Sequence, residues 1–362
     1  MSQNKTMSLR NQIDELDKDL LKLLGRRVEL AQQVFKEKAA AGQSEPFTPE
    51  REVQLLDELK KQTGTGLSAA EIESVFLPVI SLCRSRQKET KISVFGEQNG
   101  WTADAARLRF GPSAKINTVE NAKDFFAEIN QGNLGFACAT PQFTLDRADV
   151  LESILSGKIA LIEEFVYSPV FALVSNSAKD LSEVQELCVT REMLTLLRRF
   201  FLSFSYDLKI KLCRSTSEAF DSLKSIHPVA AILPAHQLNQ YSDLHILKSA
   251  IKSEVMGPVK FMVFAKQLRA VDSQAQNLKA AILCAVNDAD ILAVMASFKE
   301  LNLEVIDVQT IDFENKPWKK LIGIEIVAPQ DHTKLQTLMK RLEEHCLLSK
   351  LGGIYPEMQS QA

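Results

Sequence analysis

The sequence predicts a multidomain chain. An all-α unit covers residues 1–90, a two-lobed α/β unit covers 91–272, and a βαββαβ, ferredoxin-like unit covers 273–362. Three observations predict this. Up to about residue 90 the apolar residues recur only at helical steps. At residue 91 the period changes, and short apolar runs alternate with helical stretches. Beyond residue 272 four apolar runs and two helical stretches follow in the order strand, helix, strand, strand, helix, strand.

In the first segment Ile13, Leu16, Leu20, Leu23, Leu24, Leu30, Ala31 and Val34 recur at three- and four-residue steps. Met7 to about Ala41 holds one Gly and no Pro. A helix of about 35 residues follows, against a mean of about 11–12. A stripe that long needs a partner helix, and a second copy of the chain is the expected source. After the loop GQSEPF, Thr48-Pro49 reads as an N-cap with Pro at the first helical position. That second helix runs to about Lys61. Ser68-Ala-Ala-Glu71 is a capping-box pattern opening a third helix that ends near Lys88, with a kink expected at Pro78.

The second segment begins with ISVFG and the helical TADAARLRF, then KINTV and NAKDFFAEINQ, then GFACAT and a helix near Asp149. IALIEEF, FALVS, ELCVT, LKIKLC, VAAILP and VKFMVFA supply further strands. In the third segment AAILCAV, LEVIDVQTI, KLIGIEIVA and LLSKLGGIYP are the strands. ADILAVMASFKEL and HTKLQTLMKRLEEH are the helices.

Composition excludes several classes. Charged residues are 25% and the net charge is −3, so no basic field points to nucleic acid or to an anionic membrane surface. Cys83, Cys138, Cys188, Cys213, Cys284 and Cys346 lie far apart with no C-x-x-C pair, which argues against a zinc site or a disulfide framework. No apolar run approaches the roughly 20 residues needed to span a bilayer, and MSQNKTMSLR lacks a signal-peptide core. A cytoplasmic chain without metal or organic cofactor is expected.

The helical segment holds a distinctive polar set: Arg10, Arg27, Lys38, Arg51, Glu52 and Gln87. Arg27 and Lys38 are eleven residues apart, which puts them within roughly 20° of one helix face and about 16 Å apart along the axis. Arg10 lies about 25 Å before Arg27 and is turned by roughly 100°. It cannot share a small-molecule site with Arg27 of the same helix, but it can serve the site of an antiparallel partner. Basic and acidic residues balance in this segment, so charge counting alone describes solvated faces. The combination carries the signal.

LRNQIDELDKDLLKLLGRRVELAQQVFKEK, then PEREVQLLDEL, then a third helix ending in Gln87, resembles the all-helical class of chorismate mutases over nearly all of residues 7–88. The resemblance implies that Arg27 and Lys38 clamp the substrate and that Arg10 reaches into a partner's site in a homodimer. It implies that Arg51 and Glu52 lie near the ring hydroxyl, and that Gln87 joins Lys38 on the ether oxygen. Glu52 is expected either to carry a proton or to accept from the hydroxyl. Thr48 stands where many members have an acid, and Cys83 where serine is common. Thr48 also has a role as a helix cap, and Cys83 as a small residue lining the site. The implied reaction is pericyclic, so the site needs grip, orientation and donors to the breaking ether bond rather than a nucleophile or a metal.

The order of the three segments resembles the bifunctional chorismate mutase–prephenate dehydratase family, the last segment being ACT-like. S-T-S-E-A at 215–219, N-L-E-V, K-P-W and the final L-G-G-I-Y-P carry this likeness. The dehydratase motifs depart from the family. Where it reads P-I-E-N, this chain has Ala139-Thr140-Pro141-Gln142, and where it reads T-R-F, it has Val259-Lys260-Phe261. Valine cannot donate a proton to a leaving hydroxide, and lysine grips a carboxylate only as a point charge. Glu97 stands where the family has proline, in a strand-to-helix turn of the kind that binds anions, and its carboxylate argues against that here. Ala289-Asp290-Ile291 and Gln309-Thr310-Ile311-Asp312 replace the motifs that form the family's phenylalanine site. The expectation is a mutase with lost or very weak dehydratase activity and no ordinary phenylalanine feedback. Three alternatives stay open: the full bifunctional enzyme, a mutase acting on another chorismate-like compound, and a ligand sensor built from a retired enzyme.

Overall fold

The computed structural model describes residues 2–42, 47–62, 66–97, 100–119, 135–140, 148–202, 208–235, 243–252, 258–266, 277–312, 317–331 and 333–358, with positions 125, 127, 129 and 238 between them. The chain forms two compact units, Met1–Lys91 with Arg107–Lys115, and Ile92–Ala106 with Ile116–Ala362.

The first unit is helical: α1 (Ser2–Ala40), α2 (Pro49–Lys60) and α3 (Ala69–Gln87). Arg27 meets Cys83 and Gln32 meets Arg86, so α1 and α3 run the same way where they touch. Glu52 meets Arg84 and Lys60 meets Glu73, so α2 runs against α3. The 39 residues of α1 extend for about 58 Å, while α2 and α3 reach only about 18 and 28 Å. Between Thr6 and Leu23 every α1 side chain is therefore exposed. Met7, Leu9, Ile13, Leu16, Leu20, Leu21, Leu23, Leu30 and Val34 are each more than half exposed, an apolar stripe that this chain alone leaves in water.

The helix ends follow local chemistry. Ser68 and Glu71 form the expected capping box, the Ser68 hydroxyl accepting from the Glu71 N–H and the Glu71 carboxylate from the Ser68 N–H. α3 runs unbroken through Pro78. Thr48 departs from expectation. It occupies the N-cap position of α2, but its hydroxyl makes no capping bond and faces Lys38 instead.

The second unit opens with β1 (Lys91–Phe95), α4 (Trp101–Phe110), β2 (Lys115–Val119), β3 (Phe136–Ala139), α5 (Ala148–Leu155), β4 (Ala160–Tyr167) and β5 (Val170–Ser175). The last four residues of α4 and the loop after it belong to the helical unit. Then come β6 (Glu186–Thr190), α6 (Arg191–Leu196), α7 (Arg198–Leu202), β7 (Lys209–Cys213), α8 (Thr216–Ser222), β8 (Val229–Pro234), β9 (His245–Lys252) and β10 (Val259–Ala265). The C-terminal part is β11 (Leu278–Val286), α9 (Ile291–Glu300), β12 (Val305–Asp312), β13 (Lys320–Val327), α10 (Thr333–His345) and β14 (Leu348–Met358).

A five-stranded sheet runs β7-β6-β8-β5-β9, with β6 parallel to β7 and β8. A nine-stranded sheet runs β12-β13-β11-β14-β4-β10-β3-β1-β2. Within it the βαββαβ strands lie in the order second, third, first, fourth, the ferredoxin-like arrangement. β14 pairs in parallel with β4 through Glu357 and Met358, so the C-terminal strands and one α/β lobe share a single sheet. α5 lays Leu151, Ile154 and Leu155 against Phe264, Leu283 and Tyr355. Val294 and Phe298 of α9 and Leu335, Leu338 and Leu342 of α10 fill a second core with Ile282, Ile322 and Ile324. Burial of each such Leu or Phe contributes about 1.5–3 kcal/mol.

The sequence misses β9, because six of its eight side chains are exposed and leave no apolar alternation. The helix expected at NAKDFFAEINQ falls almost wholly outside the described residues. Phe125 and Ile129, which are described, are buried.

Candidate functional site

α1 presents two cations toward its neighbours. The Arg27 guanidinium donates to the Cys83 sulfur at 2.7 Å. The Lys38 ammonium lies 3.4 Å from the Thr48 hydroxyl. Both cations are half-buried, and neither has a carboxylate partner among the described residues. Gln87 is also half-buried, one helical turn beyond Cys83 on α3. The fold thus brings Arg27, Cys83 and Gln87 onto the α1–α3 contact, with Lys38 and Thr48 beside the entry to α2. A half-buried cation without a counter-charge is costly unless something anionic completes it.

Three other residues of the set lie elsewhere. Arg10 sits on the exposed part of α1, away from Arg27 of its own chain. Arg51 is exposed on α2, where it donates to Gln54 at 3.1 Å and lies 3.9 Å from Glu58. Reaching a ligand beside Glu52 requires it to leave both. Glu52 departs most from expectation, for it is buried with its two carboxylate oxygens already engaged. Arg84 donates to Oε1 at 2.6 Å and Arg109 to Oε2 at 3.0 Å. Nothing in the local sequence marks Arg84 and Arg109 as its partners. They are separated from Glu52 by 32 and 57 residues, and no local spacing marks such a pairing.

Lys260, which the resemblance sets at a dehydratase motif, stands in a different kind of environment. Lys260 lies 2.8 Å from Glu164 and 3.5 Å from Glu325. Lys279 touches Glu164 and Glu325 at 3.1 Å each and Glu357 at 2.8 Å. Three carboxylates therefore share two ammonium groups. Burial pulls against the charge on Lys260, but its hydrogen bond to Glu164 and the fields of Glu164 and Glu325 outweigh this and raise its pKa. Lys279 is likewise raised: the carboxylates around it, Glu357 foremost, outweigh its burial. Glu164 is fully buried, and this burial raises its pKa despite the Lys260 bond.

Val259 lies on the opposite face of β10 from Lys260, paired with Tyr167 across the strand. On Val259's side Phe261 packs with Phe165, Tyr167 and Trp101. Pro141 and Gln142 lie outside the described residues. The Glu97 carboxylate accepts from the Thr216 N–H at 2.7 Å, so a side chain of the chain itself occupies that donor in the S-T-S-E-A segment. In the C-terminal unit Asp290 begins α9 without a capping bond, and Asp312 pairs with Lys320. Among the described residues no three His, Cys, Asp or Glu side chains are grouped to hold a metal ion. No helix there is long and apolar enough to cross a membrane.

A chorismate mutase type II model matches residues 9–88, and a prephenate dehydratase model matches residues 92–269. The chain belongs to the chorismate mutase–prephenate dehydratase family. A bifunctional chorismate mutase/prephenate dehydratase of Aquifex aeolicus is 22% identical over 96% of this chain and 97% of its own length. The crystal structure of a prephenate dehydratase from Arthrobacter aurescens, in complex with L-Phe, superposes with a TM-score of 0.62 at 13% identity, covering 74% of this chain and 90% of that one. A quorum-quenching acylase, GqqA, superposes with a TM-score of 0.61 at 12% identity, over 74% of this chain and 98% of its own. These two proteins share a fold but differ in activity, so the fold alone leaves the activity of the second unit open. The helical unit carries a chorismate mutase domain, and the family is one of enzymes.

Proposed function

We propose that this chain rearranges chorismate to prephenate in aromatic amino acid biosynthesis, and that its dehydratase-like domain is silent. The observation that carries the reading is the pair of half-buried cations, Arg27 and Lys38, which meet Cys83 and Thr48 and no carboxylate among the described residues. Chorismate is a dianion with an ether oxygen. Arg27 grips a carboxylate through its fork, while Lys38 and Gln87 donate to the ether oxygen as its bond breaks. Holding the side chain over the ring supplies the rest of the acceleration without a covalent step.

The site is completed by a second copy of the chain in this reading. The exposed stripe from Met7 to Val34 is covered by a partner's α1, and Arg10 enters the partner's site. Supporting the silent second domain, Lys260 is engaged by Glu164 and Glu325, Val259 is no proton donor, and Glu97 takes a backbone donor of the S-T-S-E-A segment.

The test is to give purified protein chorismate and follow the products by NMR. Prephenate accumulating alone is the expected outcome. Phenylpyruvate forming faster than prephenate decays spontaneously removes the silent-domain part and leaves the bifunctional reading, which the dehydratase match over residues 92–269 favours. Unchanged chorismate removes the mutase reading.

A further inference from the structure

Glu52 is buried, and half of what holds it comes from outside the mutase-matched segment. Arg84 approaches from α3 and Arg109 from the end of α4, and both are as buried as the carboxylate they meet. Their guanidinium groups lie over the rings of Phe47 and Phe110 at 4.9–5.6 Å, and these rings are 5.2 Å apart. Stacking on aromatic faces fixes the planes of the two forks.

The segment that delivers Arg109 is tied along its length to α3 and to the residues that follow it. Arg84 donates to the Phe110 carbonyl at 2.6 Å, the Ser113 N–H to the Ser81 hydroxyl at 3.3 Å, and the Lys115 N–H to the Thr90 carbonyl at 2.8 Å. Gly111 has φ +77°, and a Cβ there would lie 2.4 Å from the Ser81 Cβ, so only glycine lets the loop approach this closely.

We infer that Arg109 is a positioning residue of the mutase site, acting through Glu52, and that the mutase therefore extends past its family-matched segment to residues 107–115. The inference rests on the mutase reading above. Arginine only donates, so both Glu52 oxygens are held as acceptors, with about two of their four lone-pair directions left over. A substrate group beside Glu52 must then be a donor, as the hydroxyl of a cyclohexadienol is. Arg109 itself touches no substrate in this arrangement.

The experiment is a double-mutant cycle in the full chain: Arg109→Met, Arg109→Lys, Glu52→Gln and Arg109→Met with Glu52→Gln, assayed on chorismate with thermal melts alongside. Arg109→Met should lower kcat about tenfold with KM moved less than about threefold, because orientation and not uniform binding is lost. Arg109→Lys keeps the charge without the fork. It should keep the fold but restore kcat only in part, to about threefold below wild type with KM unmoved, and if the methionine variant unfolds, a lysine variant with wild-type kcat overturns the role. In the Glu52→Gln background Arg109→Met should cost less than about twofold. A tenfold loss in both backgrounds, or wild-type kcat in Arg109→Met, overturns the positioning role while leaving the mutase reading intact. A wild-type chain that leaves chorismate unchanged overturns the mutase reading and this role with it.

Discussion

Arg27 and Lys38 in the helical unit, and Lys260 and Lys279 in the second, are the same kind of side chain under opposite conditions. The first two are half-buried beside a thiol and a hydroxyl. The second two are ringed by Glu164, Glu325 and Glu357. A cation with no carboxylate beside it among the described residues can bind an anionic ligand. A cation whose counter-charge comes from its own chain is part of the architecture, and its attraction is already used within the fold. Lysine at 260 suits the second role, because a point charge can be shared among several carboxylates whereas a fork favours one.

The comparison breaks most directly at Lys38. Lys38→Ala should lower kcat/KM on chorismate by about 10²–10³ or more, the usual cost of removing a transition-state donor, with melting unchanged. Steady-state kinetics checks this, and a loss below about threefold would place Lys38 outside the site. Arg10 sharpens the same point across the proposed dimer. Arg10→Ala and Lys38→Ala proteins should each be nearly inactive. Unfolded and refolded together in equal amounts, they should regain about a quarter of wild-type activity, since half the dimers then hold one complete site of two. No recovery would assign Arg10 to its own chain or to no site.

The second cluster should answer in stability rather than in turnover. Lys279→Met leaves three carboxylates facing one ammonium and should cost about 3–5 kcal/mol, read by urea unfolding of the second unit. Glu164→Gln leaves two carboxylates for two ammonium groups, so it should cost little or stabilise. The sign follows from the raised Glu164 pKa. The wild-type carboxyl contributes stability that is fully present below its ordinary value of 4.5 and lost as pH rises through its higher folded value. The amide does not titrate, so the variant's advantage should grow with pH across that window. A variant that weakens relative to wild type from pH 4 to 8 would show that Glu164 is instead stabilised as an anion. The smallest expected effect is on effector binding. With Asp290 and Asp312 at the substituted positions, calorimetry with phenylalanine should give no measurable heat of binding.

The sequence by itself determined the segment order, the three helices of the first unit and the βαββαβ order of the last, because each rests on periodicity and end signals within a few residues. Ser68 and Glu71 are three residues apart, and their capping box forms as read. It also set Arg27 and Lys38 near one face of α1, since their spacing is carried by one regular helix. Only the tertiary structure decided where those groups ended up. Thr48, a cap by position, faces Lys38 instead, and Glu52 is enclosed by Arg84 and Arg109. β9 exists through its pairing with β5 although its own residues lack a strand pattern. Residues 107–115 fold with the mutase helices although they follow them by a strand and most of a helix. The physical reason is common to all four. Backbone periodicity and capping are decided between near neighbours, whereas each of these contacts depends on which distant segment comes to lie alongside.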